Sequence, residues 1–228
     1  MNGTAARLGF WSSFFGAFAF VVFTACFVAI AIVNPLFLWS DLPAYLAYTQ
    51  QHNQTLKYVA QTCMLLFCPL YVLIVNSIYE YAKPEQKTLA RAALAFAIIF
   101  ATLTSLHYFV QVTAVRWSVE RGQLEGILQF LQSKPDSVSA AINMLGWTLF
   151  FGLSSLLIAP VFSGDKLSKA IRILLIVNGI FCLLAGIGYG LDWTVLVFLT
   201  INLGMGGTVL AFTVLLCFFF RRAQNASA

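Results

Sequence analysis

Apolar residues in this chain are gathered into long runs free of Asp, Glu, Lys and Arg, separated by short polar stretches. The runs extend from Leu8 to about Ser40, about Tyr58 to Tyr79, Ala92 to Val115, Val138 to Phe162, Ile173 to Leu191, and Trp193 to Phe220. Each is close to or above the roughly 20 residues that a helix needs to cross a bilayer core. Asn34-Pro35 interrupts the first run near its far end. Only Gly190-Leu191-Asp192 marks the boundary between the last two, which together are far too long for one crossing, so a tight turn is expected at Asp192. The stretches from Ser40 to Lys57 and from Arg116 to Pro135 are too polar to add a seventh span. The first run is too long for a signal peptide and lacks a small-residue cleavage pattern, so it reads as a retained span. The pattern therefore predicts an all-α fold, a single polytopic transmembrane bundle of six helices over residues 1–228.

Composition agrees: 61% of the 228 residues are hydrophobic and 9% are charged, against about a quarter charged in soluble domains. The net charge of +5 is distributed unevenly. Six spans place both termini on one side, together with Arg7, Lys83, Lys87, Arg91, Lys166, Lys169, Arg172, Arg221 and Arg222. The other side receives only Lys57, Arg116, Arg121 and Lys134. Basic loops stay cytoplasmic, so the expected protein is a multi-pass cell-membrane protein with both termini cytoplasmic. Trp39, Tyr58, Trp117 and Trp193 near outer span ends, with Trp11, Tyr79 and Tyr81 near inner ones, fit interfacial aromatic belts. The basic balance thus reflects topology and anionic lipid; nucleic acid is not an expected partner.

The two outer connections are the long ones. In the second, Leu124, Ile127, Leu128 and Leu131 recur at helical spacing before Lys134-Pro135, which predicts a short amphipathic interfacial helix between spans three and four, as a cap on the bundle or a lid over a pocket. Gly186 and Gly190 form a Gly-X-X-X-Gly pair in span five, and Gly204, Gly206 and Gly207 cluster in span six, so these two helices are expected to pack closely. Pro69 is expected to kink span two. The five cysteines all fall inside spans and read as packing residues.

No Asp, Glu, Lys or Arg lies centrally in a span, which removes Schiff-base and carboxylate-relay chemistry. There is no P-loop, zincin helix, Gly-X-Ser-X-Gly elbow or Cys-X-X-Cys pair. The chain has two histidines. His107 with Cys63, Met64 and His52 as a copper site, or with His52 as haem ligands, lacks characteristic spacing, and no cofactor is indicated. What stands out is span three, where Thr104, His107, Tyr108 and Gln111 follow an i, i+3, i+4, i+7 stripe that should face the bundle. At similar depth lie Asn34, Gln61, Asn143 with Trp147, and Asn202. One reading is a polar pocket in the outer half that binds a small molecule or lipid around His107, because an intramembrane ionisable side chain is a site hypothesis by default. The other is a set of interhelical hydrogen bonds worth about 0.6 kcal/mol each.

In its span pattern and its His107-Tyr108-Phe109-Val110-Gln111 segment, the whole chain resembles the uncharacterised bacterial six-span integral membrane proteins of about this size. The resemblance implies a bacterial inner membrane and brings no activity or site residue with it. Three functions follow as expectations. The first is a ligand-binding membrane protein with a sensor, carrier or lipid-handling role, lined by Gln61, Thr104, His107, Tyr108, Gln111, Asn143, Trp147 and Asn202. The second is a structural or accessory subunit that meets a partner membrane subunit or a second copy of itself. The third is a membrane enzyme using His107, with Tyr108 or Glu120 as the available second group.

Overall fold

A computed structural model describes residues 3–35 and 37–226. Seven helices organise them: α1 (Gly3–Val33), α2 (Leu42–Gln51), α3 (Thr55–Tyr81), α4 (Pro84–Arg121), α5 (Val138–Val161), α6 (Lys166–Gly190) and α7 (Thr194–Asn225). All but α2 are long and apolar enough to cross a membrane, and the chain is a multi-pass membrane protein. Helix α1 ends at Val33, short of the expected Ser40, because the residue preceding Pro35 is pushed out of helical geometry.

The six spans close a ring in chain order. α1 packs on α3, α3 on α4, α4 on α5, α5 on α6 and α6 on α7, and α1 completes the circuit against α7. The termini share one face, where Gln224 Nε2 donates to the Ala6 carbonyl at 3.1 Å and Arg222 pairs with Asp165 at 2.7 Å. Asp165 also caps α6 by accepting from the Ser168 N–H at 3.0 Å. The α6–α7 connection is the expected tight turn: Asp192 has a left-handed φ of 54°, and the Trp193 N–H returns to the Gly188 carbonyl at 2.8 Å.

Glycine packing differs from the expected pairing. Gly188 lies against Leu196 and Val197 of α7, and Gly204 against Phe181 of α6, so these two glycines bring α6 and α7 together. Gly186 instead meets Thr148 of α5, and Gly190 faces open space. Helix α3 runs unbroken through Pro69.

The opposite face carries both long connections, which pack on one another. Tyr45 of α2, Val115 of α4, and Ile127 and Leu131 of the α4–α5 loop form a small apolar core of their own, bordered by Phe37, Trp39 and Leu42. Burial there pushes the Tyr45 hydroxyl up to about 12. The amphipathic helix expected in the second loop is a single 3-10 turn, Ile127–Gln129. Gly122 and Gly126 take positive φ on its N-terminal side, breaking the chain before a regular helix can form. The apolar spacing was real, since Ile127 and Leu131 are buried, but it serves a folded loop that caps the bundle. The first loop, in contrast, holds the helix α2, started by Asp41 accepting from the Ala44 N–H at 2.8 Å with Pro43 in the first turn.

Candidate functional site

Three neighbouring spans repeat one order of side chains from the loop face inward. On α3 it is Gln61, Phe67, Tyr71; on α4, His107, Phe100 and the Ala93 carbonyl; on α5, Asn143, Trp147, Phe151, then Ser154 and Ser155. A polar layer, an aromatic layer and a second polar layer result. From Asn143 to Ser154 the rise along α5 is about 16 Å.

The aromatic layer is tightly built. Phe67 stacks with Trp147 at 6.1 Å, Phe100 meets Trp147 and Phe151 at 4.8 Å each, and Tyr71 meets Phe151 at 4.6 Å between ring centroids. Phe67, Phe100 and Phe151 have no exposed surface.

In the second polar layer every group is partnered. Tyr71 donates to Ser154 Oγ at 3.1 Å, Ser154 Oγ donates to the Ala93 carbonyl at 2.9 Å, Asn178 Nδ2 donates to Ser155 Oγ at 2.9 Å, and Thr208 Oγ1 donates to Asn178 Oδ1 at 3.0 Å. This network joins five spans and leaves nothing for a ligand. Its serines escaped the sequence reading because each lies in a run that reads as plain apolar span.

The polar layer near the loop face behaves differently. His107, 2% exposed, has Nδ1 at 2.9 Å from both the carbonyl oxygen and the Oγ of Ser139. Gln111 Nε2 donates to the Phe130 carbonyl at 2.6 Å, and its Oε1 accepts the Gln132 N–H at 3.2 Å. Gln61 Nε2 donates to Gln132 Oε1 at 2.6 Å. The Tyr108 hydroxyl interacts with the Trp147 and Asn143 side chains. The α4–α5 loop thus supplies Gln132, a site residue that sequence reading missed because it follows Leu131 in the segment expected to form an amphipathic helix.

Despite these bonds, Gln61 Oε1, Thr104 Oγ1, His107 Nε2 and Asn143 Oδ1 are buried without a hydrogen-bond partner. Among the described residues only Ser13 Oγ shares that condition. Buried polar atoms without a partner cost about 1–3 kcal/mol each, so four in one layer need an account. Backbone geometry marks the same place: π-helical turns occur at Gln111–Val115 in α4 and Gly146–Phe150 in α5, a feature frequent at functional sites. Gly146 lets α4 approach, since a Cβ there would stand 2.5 Å from Thr104 Oγ1.

Gln132 and Asn143 also line a groove of about 590 Å³ on the loop face, bounded by Asp136 and Met144 on one wall and Tyr189, Asp192 and Trp193 on the other. The Tyr189 hydroxyl donates to the Pro135 carbonyl at 2.6 Å across its rim. Asp136 is paired with Lys134 at 2.5 Å, and that bond holds its carboxyl below the usual range.

Seven of the eight residues expected at the site, Gln61, Thr104, His107, Tyr108, Gln111, Asn143 and Trp147, come together. Asn202 does not: it is exposed and its Nδ2 donates to the Phe198 carbonyl of its own helix at 2.9 Å. The π-helical segment Leu199–Met205 shifts the register of α7, so depth along the sequence misplaced it. His52 packs on Tyr48 at the end of α2, and no group of three or more His, Cys, Asp or Glu able to hold a metal occurs among the described residues. No family model, curated protein or solved structure matches the chain.

Proposed function

We propose that this is a ligand-binding protein of a bacterial inner membrane, with both termini cytoplasmic, that takes a small molecule or lipid through the loop-face groove into the polar layer around His107. The observation that carries the reading is the contrast between two polar layers in one bundle. The Tyr71–Ser154–Ser155–Asn178 layer is fully bonded, as a purely structural network should be. The His107 layer keeps four buried atoms unpartnered beside a groove that two of its residues line.

The aromatic layer favours binding over passage. Phe67, Phe100, Trp147 and Phe151 stand between the two polar layers, so a ligand at His107 meets a closed floor. A sensor or lipid-handling role fits this floor better than a carrier does. The basic residues on the termini face support the orientation.

Native mass spectrometry of gently solubilised protein, wild type beside His107→Ala, tests the reading. The expected result is a bound non-phospholipid mass, or an enriched lipid, on wild type that is lost from a folded His107→Ala. Identical spectra for both proteins would overturn it.

A further inference from the structure

The unpartnered atoms share a polarity. His107 Nδ1 stands 2.9 Å from both the Ser139 carbonyl oxygen, which only accepts, and the Ser139 hydroxyl, which can accept too; the tautomer with its proton on Nδ1 suits both neighbours and presents Nε2 as a lone pair. Gln111 is fixed in orientation by its bonds to the Phe130 carbonyl and the Gln132 N–H. Gln61 spends its amide on Gln132 Oε1, which leaves Gln61 Oε1 as the free end. Asn143 Oδ1 is the third acceptor, and the Thr104 hydroxyl can turn either way. Three of the four unpartnered atoms therefore accept, and the fourth can.

The groove above has the same bias. Its charged lining is Asp136 and Asp192, and no Lys or Arg lines it. Asp136 is neutralised by Lys134, whereas Asp192 has no ion-pair partner among the described residues. Trp193 and Tyr189 add aromatic surface on the same wall. An anionic head group would meet lone pairs and a carboxylate. A protonated amine brings three N–H donors and a charge that both the carboxylate and the aromatic faces favour.

We infer that the ligand of this site carries a protonated primary amine, held by Gln61, His107 and Asn143 at depth and drawn in by Asp192 at the rim. The inference rests on the pocket reading above and names its ligand class. Two sources share this chemistry: an aminolipid head group entering from the bilayer, and a soluble amine entering from water.

The test uses full-length protein in phosphatidylcholine nanodiscs, whose head group has no N–H, with decylammonium, decanol and decanoate as probes of one chain length. Decylammonium should bind at least about tenfold more tightly than decanol, and decanoate most weakly. Asn143→Leu should weaken decylammonium at least about tenfold. Asp192→Asn keeps a residue that tolerates the left-handed turn and should weaken it about fivefold, an effect that shrinks as salt is raised; this variant carries the test if Asn143→Leu does not fold. Displacement of the probe by phosphatidylethanolamine in the disc supports the lipid source, and displacement by free ethanolamine supports the soluble one. Decanol or decanoate binding as well as decylammonium, or displacement by neither amine, would overturn the inference. If decanoate is held by wild type and lost in His107→Ala, the pocket survives and only the amine falls; if nothing binds, both fall.

Discussion

His107 on α4 is latched to Ser139 on the first turn of α5 by two contacts of 2.9 Å from a single ring nitrogen. That bond ties the two spans together under the loop cap, and it leaves the other ring nitrogen buried without a partner. Replacing the ring by Ala should therefore cost stability as well as binding. His107→Gln offers an amide that can still donate to the Ser139 carbonyl. It should recover most of the melting temperature and little of the ligand affinity. Equal recovery of both, in thermal scans read beside native mass spectrometry, would mean that the ring serves α4–α5 packing alone.

Gln111 is the strap between bundle and cap. Its side chain satisfies the Phe130 carbonyl and the Gln132 N–H, two backbone groups that would otherwise be stranded at the edge of the membrane. Gln111→Leu should cost about 1–3 kcal/mol and loosen residues 122–137. Limited proteolysis within that loop is the readout. Wild-type resistance in Gln111→Leu would place the strap elsewhere, in the apolar contacts of Ile127 and Leu131.

Close approach of α4 and α5 depends on Gly146. An alanine Cβ there would lie 2.5 Å from Thr104 Oγ1 and 3.7 Å from the Phe100 carbonyl, and overpacking of this kind costs about 1–3 kcal/mol. Thr104→Ala removes the atom that clashes. The double variant Gly146→Ala, Thr104→Ala should therefore be more stable than Gly146→Ala alone, a coupling that a double-mutant cycle of unfolding measurements reads directly. Strict additivity would show that the Gly146 contact does not limit the packing.

Which parts of this were legible in the sequence follows from the range of the forces involved. Span number, the turn at Asp192 and the inward stripe of α4 are set by hydropathy and helical period, which act over a few residues. The loop around Gln132 was misread because apolar spacing at Ile127 and Leu131 looks the same whether a helix or a folded loop buries it, and Gly122 and Gly126 decided for the loop. Asn202 was misplaced because a π-helical turn advances the register without a signature in composition. Ser154 and Ser155 were passed over because a hydroxyl in an apolar span gains meaning only from the Tyr71 and Asn178 side chains brought to it from other helices.

Asp165 gives the termini face a pH dependence. The Ser168 N–H and side chain, and then Arg222, hold its carboxyl below the ordinary value. A depressed folded-state pKa means that its contribution is present above the unfolded pKa of about 3.9 and is lost as pH falls through the lower folded value. Asp165→Asn keeps the helix-capping oxygen and removes only the charge. The melting temperature of wild type should exceed that of Asp165→Asn by a small constant amount at neutral pH, and the gap should close below about pH 4. A gap that is flat across the acid range would show that neither Ser168 nor Arg222 stabilises the charged carboxyl in solution.

Orientation is open to direct labelling. Lys134→Cys lies in the loop cap and Gln224→Cys beside Ala6 at the termini face, so the two thiols sit on opposite sides of the bilayer. In a background with the five native cysteines replaced by Ala, a membrane-impermeant maleimide added to intact cells should label Lys134→Cys at once and Gln224→Cys only after permeabilisation. The reverse pattern would put the groove on the cytoplasmic side. The amine ligand proposed above would then have to come from the cell interior, against the orientation expected from the distribution of basic residues.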